Sequence, residues 1–172
     1  PDALAGIVDL FGALTPAELE RALSELAFKR GADVDDAAVA DAVERAVRSY
    51  ALVRYADGES SDGEGDAATG DSEDGAARTL LAPGPAAFPT LPPNAEDLPH
   101  ILDVDPRAVD REVAAEALAE RFRADAARAV SADDDAAMRR LLDVTYDLAV
   151  WSESIAVDDV RDRLDDALEG PS

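Results

Sequence analysis

The chain has 172 residues but contains no cysteine, one lysine (Lys29) and one histidine (His100). The absence of cysteine excludes a disulfide framework and thiol chemistry. The sequence contains no stretch of eighteen apolar residues and no leader in which a charged part is followed by an apolar part. The sequence therefore predicts a soluble, cytoplasmic protein without a membrane partner.

Short motifs that support common enzyme chemistry are also missing. There is no Gly-rich phosphate loop, no serine in a nucleophile elbow and no pair of histidines. The one histidine lies between Pro99 and Ile101 in a short turn, where a backbone carbonyl is expected to satisfy it. We therefore predict a protein that is not an enzyme, with no catalytic residue and no cofactor.

Carboxylates are abundant, yet their spacing does not predict a metal centre. Asp62, Glu64, Asp66 and Glu73 match four positions of a calcium-binding loop. Ala67, however, stands where the sharp turn requires glycine, and no apolar helices flank the segment. Elsewhere in the chain, clusters of acidic residues lie at predicted helix starts, where they are expected to cap the helices and to interact with the helix dipole. No metal site is predicted.

Acidic residues outnumber basic ones by 39 to 16, and 26 of the 39 are aspartate, which gives a net charge of −23. Such like charge destabilises a compact state by self-repulsion, but at 1 M salt the Debye length falls to about 3 Å and the repulsion is screened. The excess of aspartate and the near absence of lysine therefore predict a halophilic protein that holds K⁺ and hydration water at its surface.

The apolar residues are distributed unevenly along the chain. None of the Leu, Ile, Val and Phe residues lies in the segment 57–77, which holds eight acidic residues, five glycines and no basic residue. Such a segment cannot offset its ordering entropy, so a disordered acidic insert is expected there. The rest of the chain carries enough apolar residues for a core.

Three helices are predicted in the first fifty residues. The first apolar stripe stops near Gly12. Thr15-Pro16-Ala17-Glu18 is a capping box with proline at the first helical position, so a second helix begins there, and Gly31 is a natural end for it. The third helix is expected to begin after Asp35 or Asp36.

A hairpin and a connector are predicted next. Leu52–Tyr55 and Arg78–Leu81 have the character of two paired strands. The segment 83–104 is rich in proline, which excludes helix interior up to Asn94. We expect a connector packed on the surface and held there by Phe88 and Leu91.

The second half is predicted to be helical. Asp105-Pro106 resembles a cap followed by proline at the first position, and apolar spacing continues to about Val130. A second helix is expected over 136–150 and a last one after an Asp158 cap. The short piece Leu98–Leu102 is expected to form one helical turn.

These elements predict a mainly α fold. Three helices followed by a hairpin, over residues 4–82, resemble a winged helix-turn-helix domain. Three units are predicted. Residues 1–82 form a winged-helix-like unit with its insert, residues 83–104 a Pro-rich connector, and residues 105–172 a helical unit of about three helices.

Most of the chain is also similar to an uncharacterised family of haloarchaeal proteins. The resemblance is carried by four motifs: Leu10-Phe11-Gly12, Leu14-Thr15-Pro16-Ala17-Glu18-Leu19-Glu20, Ala87-Phe88-Pro89-Thr90 and Asp97-Leu98-Pro99-His100-Ile101-Leu102-Asp103-Val104. It implies an environment of high salt but no activity.

A winged helix suggests DNA binding, so the third helix is the expected recognition helix. Its outward positions are acidic at the start and basic at the end: Asp35, Asp36, Asp41, Glu44, Arg45 and Arg48. The acidic start repels phosphate. If DNA is nevertheless bound, the phosphate contacts are expected from four arginines: Arg45, Arg48, Arg54 and Arg78.

The favoured hypothesis is therefore a non-catalytic interaction or regulatory module that binds a protein partner or a second copy of itself. The alternative is a DNA-binding transcriptional regulator. A contiguous arginine surface over residues 35–54 would favour DNA, and an acidic surface would count against it. Simple pairing of the arginines with nearby carboxylates stays open as a third interpretation.

Overall fold

The computed structural model describes residues 1–57 and 78–170, so the segment 58–77, most of the predicted insert, lies outside the described residues. The elements follow in chain order: α1 (Asp2–Phe11), α2 (Pro16–Lys29), α3 (Asp36–Arg48), β1 (Leu52–Asp57), β2 (Arg78–Pro83), a 3-10 turn (Ala95–Asp97), α4 (Leu98–Ile101), α5 (Arg111–Ser131), α6 (Asp135–Trp151) and α7 (Asp158–Glu169). The fold is mainly helical. Its winged-helix-like N-terminal unit precedes a helical C-terminal part, which confirms the predicted fold class.

Local capping sets the N-terminal helices. The Thr15 side chain accepts a hydrogen bond from the Glu18 backbone N–H, and the Glu18 carboxylate accepts one from the Thr15 N–H, so the predicted capping box forms. Asp35 caps α3 through the Ala37 N–H. The apolar faces of the three helices meet in a first core with Phe11 and Leu19 fully buried, because their stripes at helical spacing need mutual cover.

The hairpin lies between two cores. β1 and β2 pair antiparallel, with Val53 opposite Ala82 and Tyr55 opposite Leu80. Successive side chains of a strand point to opposite faces of the sheet. These four residues are therefore buried against the C-terminal helices, whereas Leu52 and Leu81 are buried against the N-terminal helices. A backbone bridge between Leu14 and Leu81 attaches the turn before α2 to the edge of β2.

The C-terminal helices form the second core. α5 contacts β1 on one side and α6 and α7 on the other. It therefore buries a wide set of positions along its length. The buried residues are small on most turns: Ala114, Ala115, Leu118, Ala119, Phe122, Ala126 and Ala129.

Two predicted helix starts are wrong. α5 begins at Arg111 and is capped by Asp110, whose carboxylate accepts from the Val113 N–H, instead of beginning at Pro106. The residues before it are not helical, and the Arg107 backbone N–H donates to the Phe11 carbonyl at 2.8 Å, which attaches this segment to the end of α1. Asp158 is the first residue of α7, and the capping position belongs to Val157.

The Pro-rich connector is packed on the first core, but by other residues than expected. Phe88 and Leu91 are exposed, which corrects the prediction that they hold the segment. Ala95, Leu98 and Leu102 are buried there instead, because the 3-10 turn and α4 (Leu98–Ile101) turn them inward. The predicted helical turn at residues 98–102 is confirmed.

Candidate functional site

A cleft of about 1240 Å³ opens between the end of α3, the start of β1 and the facing sides of α5 and α6. Val47, Leu141 and Ala129 form apolar parts of its lining. The cleft forms here because Tyr50 and the hairpin hold the C-terminal end of α3 against α5, while α6 packs on the other side of α5.

The cleft is rich in arginine. The chain has fifteen arginines, and six of them line this one cavity: Arg45, Arg48, Arg54, Arg121, Arg128 and Arg140. The lining also contains four carboxylates: Glu44, Asp125, Asp134 and Asp143. By formal charge the lining is therefore positive, in a chain whose net charge is −23.

Three of the six arginines are paired within the cleft. Arg54 binds the Glu44 carboxylate, and Arg128 donates to Asp125 Oδ1 at 2.8 Å. Arg121 Nε lies 3.5 Å from Asp125 Oδ2. The hydrogen bond and charge of Arg54 lower the pKa of Glu44, so this carboxylate is ionised in the cleft.

Tyr50 and Arg121 fasten the cleft walls together. Tyr50 adopts a φ of 62°, a left-handed conformation that turns the chain from α3 into β1. Its hydroxyl donates to Asp125 Oδ2 at 2.6 Å, and its pKa is raised by burial and by the Asp125 charge. Arg121 lies over the Tyr50 ring and donates to the Val47 carbonyl at the end of α3. These contacts fix the position of the wall that carries Arg45 and Arg48.

The other three arginines of the cleft are exposed at its walls. Arg45, Arg48 and Arg140 are exposed, and none of them forms an ion pair within 4.0 Å among residues 1–57 and 78–170. Arg45 and Arg48 are three positions apart on α3, and Arg140 lies on α6 across the cleft. Guanidinium groups on both walls can therefore bind one anionic ligand.

The structure brings together three of the four arginines singled out in the sequence. Arg45, Arg48 and Arg54 line the cleft, whereas Arg78 lies at the start of β2 opposite Asp57 and does not. Arg121, Arg128 and Arg140 were missed. The spacing of seven between Arg121 and Arg128 places both on one face of α5, which is the sequence signal that could have paired them.

The outward face of α3 is divided. Asp36 and Asp41 are exposed in its first half, and Arg45 and Arg48 are exposed in its last turn. Arg45 and Arg48 share their cleft with Arg54 of β1 and with arginines of α5 and α6. Residues 35–54 therefore form neither a continuous arginine surface nor a wholly acidic one: the start of α3 is acidic, and its end lies in a concave basic cleft.

Other chemistry is sparse in the part of the chain that the structure describes. His100 is exposed at the end of α4 and has no hydrogen-bond partner there, so the expected backbone carbonyl contact is not formed. Among the described residues, no three carboxylate or imidazole groups are arranged to hold a metal ion. None of the described helices has the length and apolarity needed to cross a bilayer.

Comparison with known proteins gives one match. A family described as a family of unknown function, DUF7109, matches residues 2–169. No curated protein and no solved structure matches the chain significantly. Because the match covers almost the whole chain, the protein belongs to the DUF7109 family.

Proposed function

We propose that this protein is a non-catalytic interaction module that binds a protein partner in the cytoplasm of a halophilic, haloarchaeal cell. The observation that carries the proposal is the cleft itself, which gathers six of fifteen arginines in a chain of net charge −23. Exposed arginines at a concave, partly apolar surface are typical of binding sites.

The shape of the cleft supports a polypeptide over duplex DNA. A recognition helix enters the major groove, which is about 12 Å wide, and a helix with its side chains already fills about 10–12 Å. The arginine end of α3 is flanked by α5 and α6, so it cannot enter a groove alone. The open first half of α3 carries Asp36 and Asp41, which repel phosphate.

The aromatic content supports a polypeptide over single-stranded nucleic acid. Proteins that bind single strands combine basic grooves with exposed aromatic rings on which bases stack. Tyr50 is the one aromatic residue among the described residues that line the cleft, and it is only 3% exposed. Its outer ring face is taken by Arg121.

The two faces of the hairpin support the same choice. In a DNA-binding winged helix the wing must be free to reach the duplex. Here Val53, Tyr55, Leu80 and Ala82 are buried against the C-terminal helices, and Leu52 and Leu81 against the N-terminal ones, so the end of the strand pair next to α3 is covered on both faces. The outer ends of the strands are exposed at Arg54, Ala56, Arg78 and Thr79.

The test is affinity purification from the native cell at high KCl with nuclease treatment. A polypeptide should co-purify with the unchanged protein. Its amount should fall at least tenfold for a triple variant with Arg45→Gln, Arg48→Gln and Arg140→Gln, since even one lost charge-assisted contact costs about 1.5 kcal/mol or more.

A charge-matched control is available in three exposed arginines that do not line the cleft: Arg21, Arg123 and Arg163. Their replacement by Gln changes net charge equally and should leave the co-purified amount unchanged. Recovery of a nuclease-protected DNA fragment in place of a polypeptide would support the DNA-binding regulator instead, and equal loss in both variants would contradict a role for the cleft.

A further inference from the structure

The cleft already contains carboxylates that its arginines hold. Glu44 is bound by Arg54, and the nearby charges of Arg48 and Arg121 also lower its pKa. Asp125 accepts from Arg128 and from the Tyr50 hydroxyl. These internal pairs occupy Arg54, Arg121 and Arg128, whereas the other three cleft arginines, Arg45, Arg48 and Arg140, form no ion pair within 4.0 Å among residues 1–57 and 78–170.

We infer that the cleft recognises a carboxylate-rich segment of the protein partner, which Arg45, Arg48 and Arg140 bind from opposite walls. This inference rests on the proposed function and names the chemistry of its partner. A planar guanidinium donates two parallel hydrogen bonds to one carboxylate, so three exposed arginines can hold several Asp or Glu side chains in register.

A carboxylate fits the cleft better than a phosphate group. Proteins commonly bind phosphate at helix N-termini, where free backbone N–H groups point at the ligand. The N-terminus of α6 borders this cleft, but Asp134 caps it by accepting from the Ala137 N–H. Asp134 therefore uses one of these donors and adds a negative charge, which disfavours a dianionic group there.

High salt favours recognition of this kind. The net charge of −23 repels an acidic segment at long range, but at about 1 M KCl the Debye length is only about 3 Å. Direct guanidinium–carboxylate contacts at about 2.8 Å survive this screening better than the long-range repulsion does. An acidic protein can then bind an acidic segment through a local basic cleft.

The experiment measures fluorescence anisotropy of a labelled peptide of alternating Asp and Glu with the full chain in about 1 M KCl, a condition of strong screening. We expect saturable binding, and we expect the Kd to rise about tenfold or more for Arg45→Gln with Arg48→Gln and Arg140→Gln. The control variant with Arg21, Arg123 and Arg163 replaced by Gln should bind as the unchanged protein does. Far-UV circular dichroism confirms that each variant is folded.

A charge-conserving variant separates the contribution of the paired guanidinium donors from that of positive charge alone. Arg45→Lys with Arg48→Lys and Arg140→Lys retains all three charges but loses the paired donors, so it should weaken binding by at least a few-fold. A peptide of Asn and Gln should bind about tenfold more weakly than the acidic one. Equal binding by the Gln variant and the control variant would overturn the inference.

The probes also separate this inference from the proposed function. A phosphoserine peptide or duplex DNA that binds more tightly than the acidic peptide would overturn the carboxylate assignment. If the cleft variant loses its co-purified polypeptide while the acidic peptide does not bind the unchanged protein, the proposed function stands and the inference is wrong. Binding of the acidic peptide with no co-purified polypeptide would contradict only the proposed function.

Discussion

The Glu18 side chain connects three separate parts of the structure. Its carboxylate accepts from Arg107 at 2.6 and 2.7 Å and from the Thr15 backbone N–H at 2.8 Å. Arg107 also donates to the Ala13 carbonyl, so the segment before α5 is bound to the turn before α2. This bidentate pair is largely shielded from solvent, and the Arg107 hydrogen bonds lower the pKa of Glu18 to about 2 despite partial burial.

Glu18 is therefore expected to make stability depend on pH below 4.5. A carboxyl group whose pKa is lower in the folded state stabilises that state fully above its unfolded value, near 4.5, and loses this contribution as the pH falls toward 2. In Glu18→Gln this part of the dependence should disappear. The urea midpoint at constant high KCl, measured from pH 5 to about pH 2, checks the difference.

Glu20→Gln is the matched control, because Glu20 is exposed on the same helix and its side chain has no ion pair among the described residues. It should retain the steep loss of stability in this pH range. An unchanged slope in Glu18→Gln would show that the pair does not contribute.

At the scale of elements, α1 and the connector approach each other closely. A Cβ added to Gly6 would lie 2.1 Å from the Thr90 carbonyl oxygen, and the Thr90 N–H donates to the Asp2 carbonyl. Only a residue without a side chain permits this contact between a helix and an extended segment.

Gly6→Ala should consequently destabilise the protein by about 2 kcal/mol, although Ala in a helix normally gains about 1 kcal/mol over Gly. Gly31→Ala is the control: its φ is 69° but nothing lies within 4 Å of the added Cβ, so only backbone strain of about 1 kcal/mol is expected. Urea unfolding in high KCl compares them. Higher stability in Gly6→Ala would contradict the close contact.

Elements with local signals could be predicted from the sequence. Thr15 and Glu18 form their capping box within one turn, and Leu52–Tyr55 alternates between two faces, so α2 and β1 appear where expected. The start of α5 could not be predicted, since the contact of Arg107 with Phe11 joins residues far apart in sequence.

The candidate site was predictable only in part for the same reason. Arg45, Arg48 and Arg54 stand out because they lie within one short stretch. The cleft that they line is completed by Arg128 and Arg140, which reach it only when α5 and α6 pack beside α3. Sequence spacing does not contain that packing.

At the scale of the whole molecule, the net charge of −23 predicts that the stability of the fold depends on salt concentration. Dialysis from molar KCl into dilute buffer should unfold the protein, because repulsion among carboxylates is then no longer screened. Far-UV circular dichroism should record the loss of helix. Molar sucrose, which strengthens apolar burial without screening charge, should restore less helix than KCl does. Full retention of helix in dilute buffer would contradict the proposal that the protein is halophilic.

The hairpin covered on both sides has a mechanical consequence. A side chain enlarged at Val53 pushes the strand away from α5 and toward Leu52 and Leu81, which fill the opposite core. Neither half of the molecule can change its internal volume alone. A substitution that enlarges a side chain in one core should then be accompanied by one that reduces a side chain in the other core. The two residues lie on opposite faces of the hairpin and do not touch.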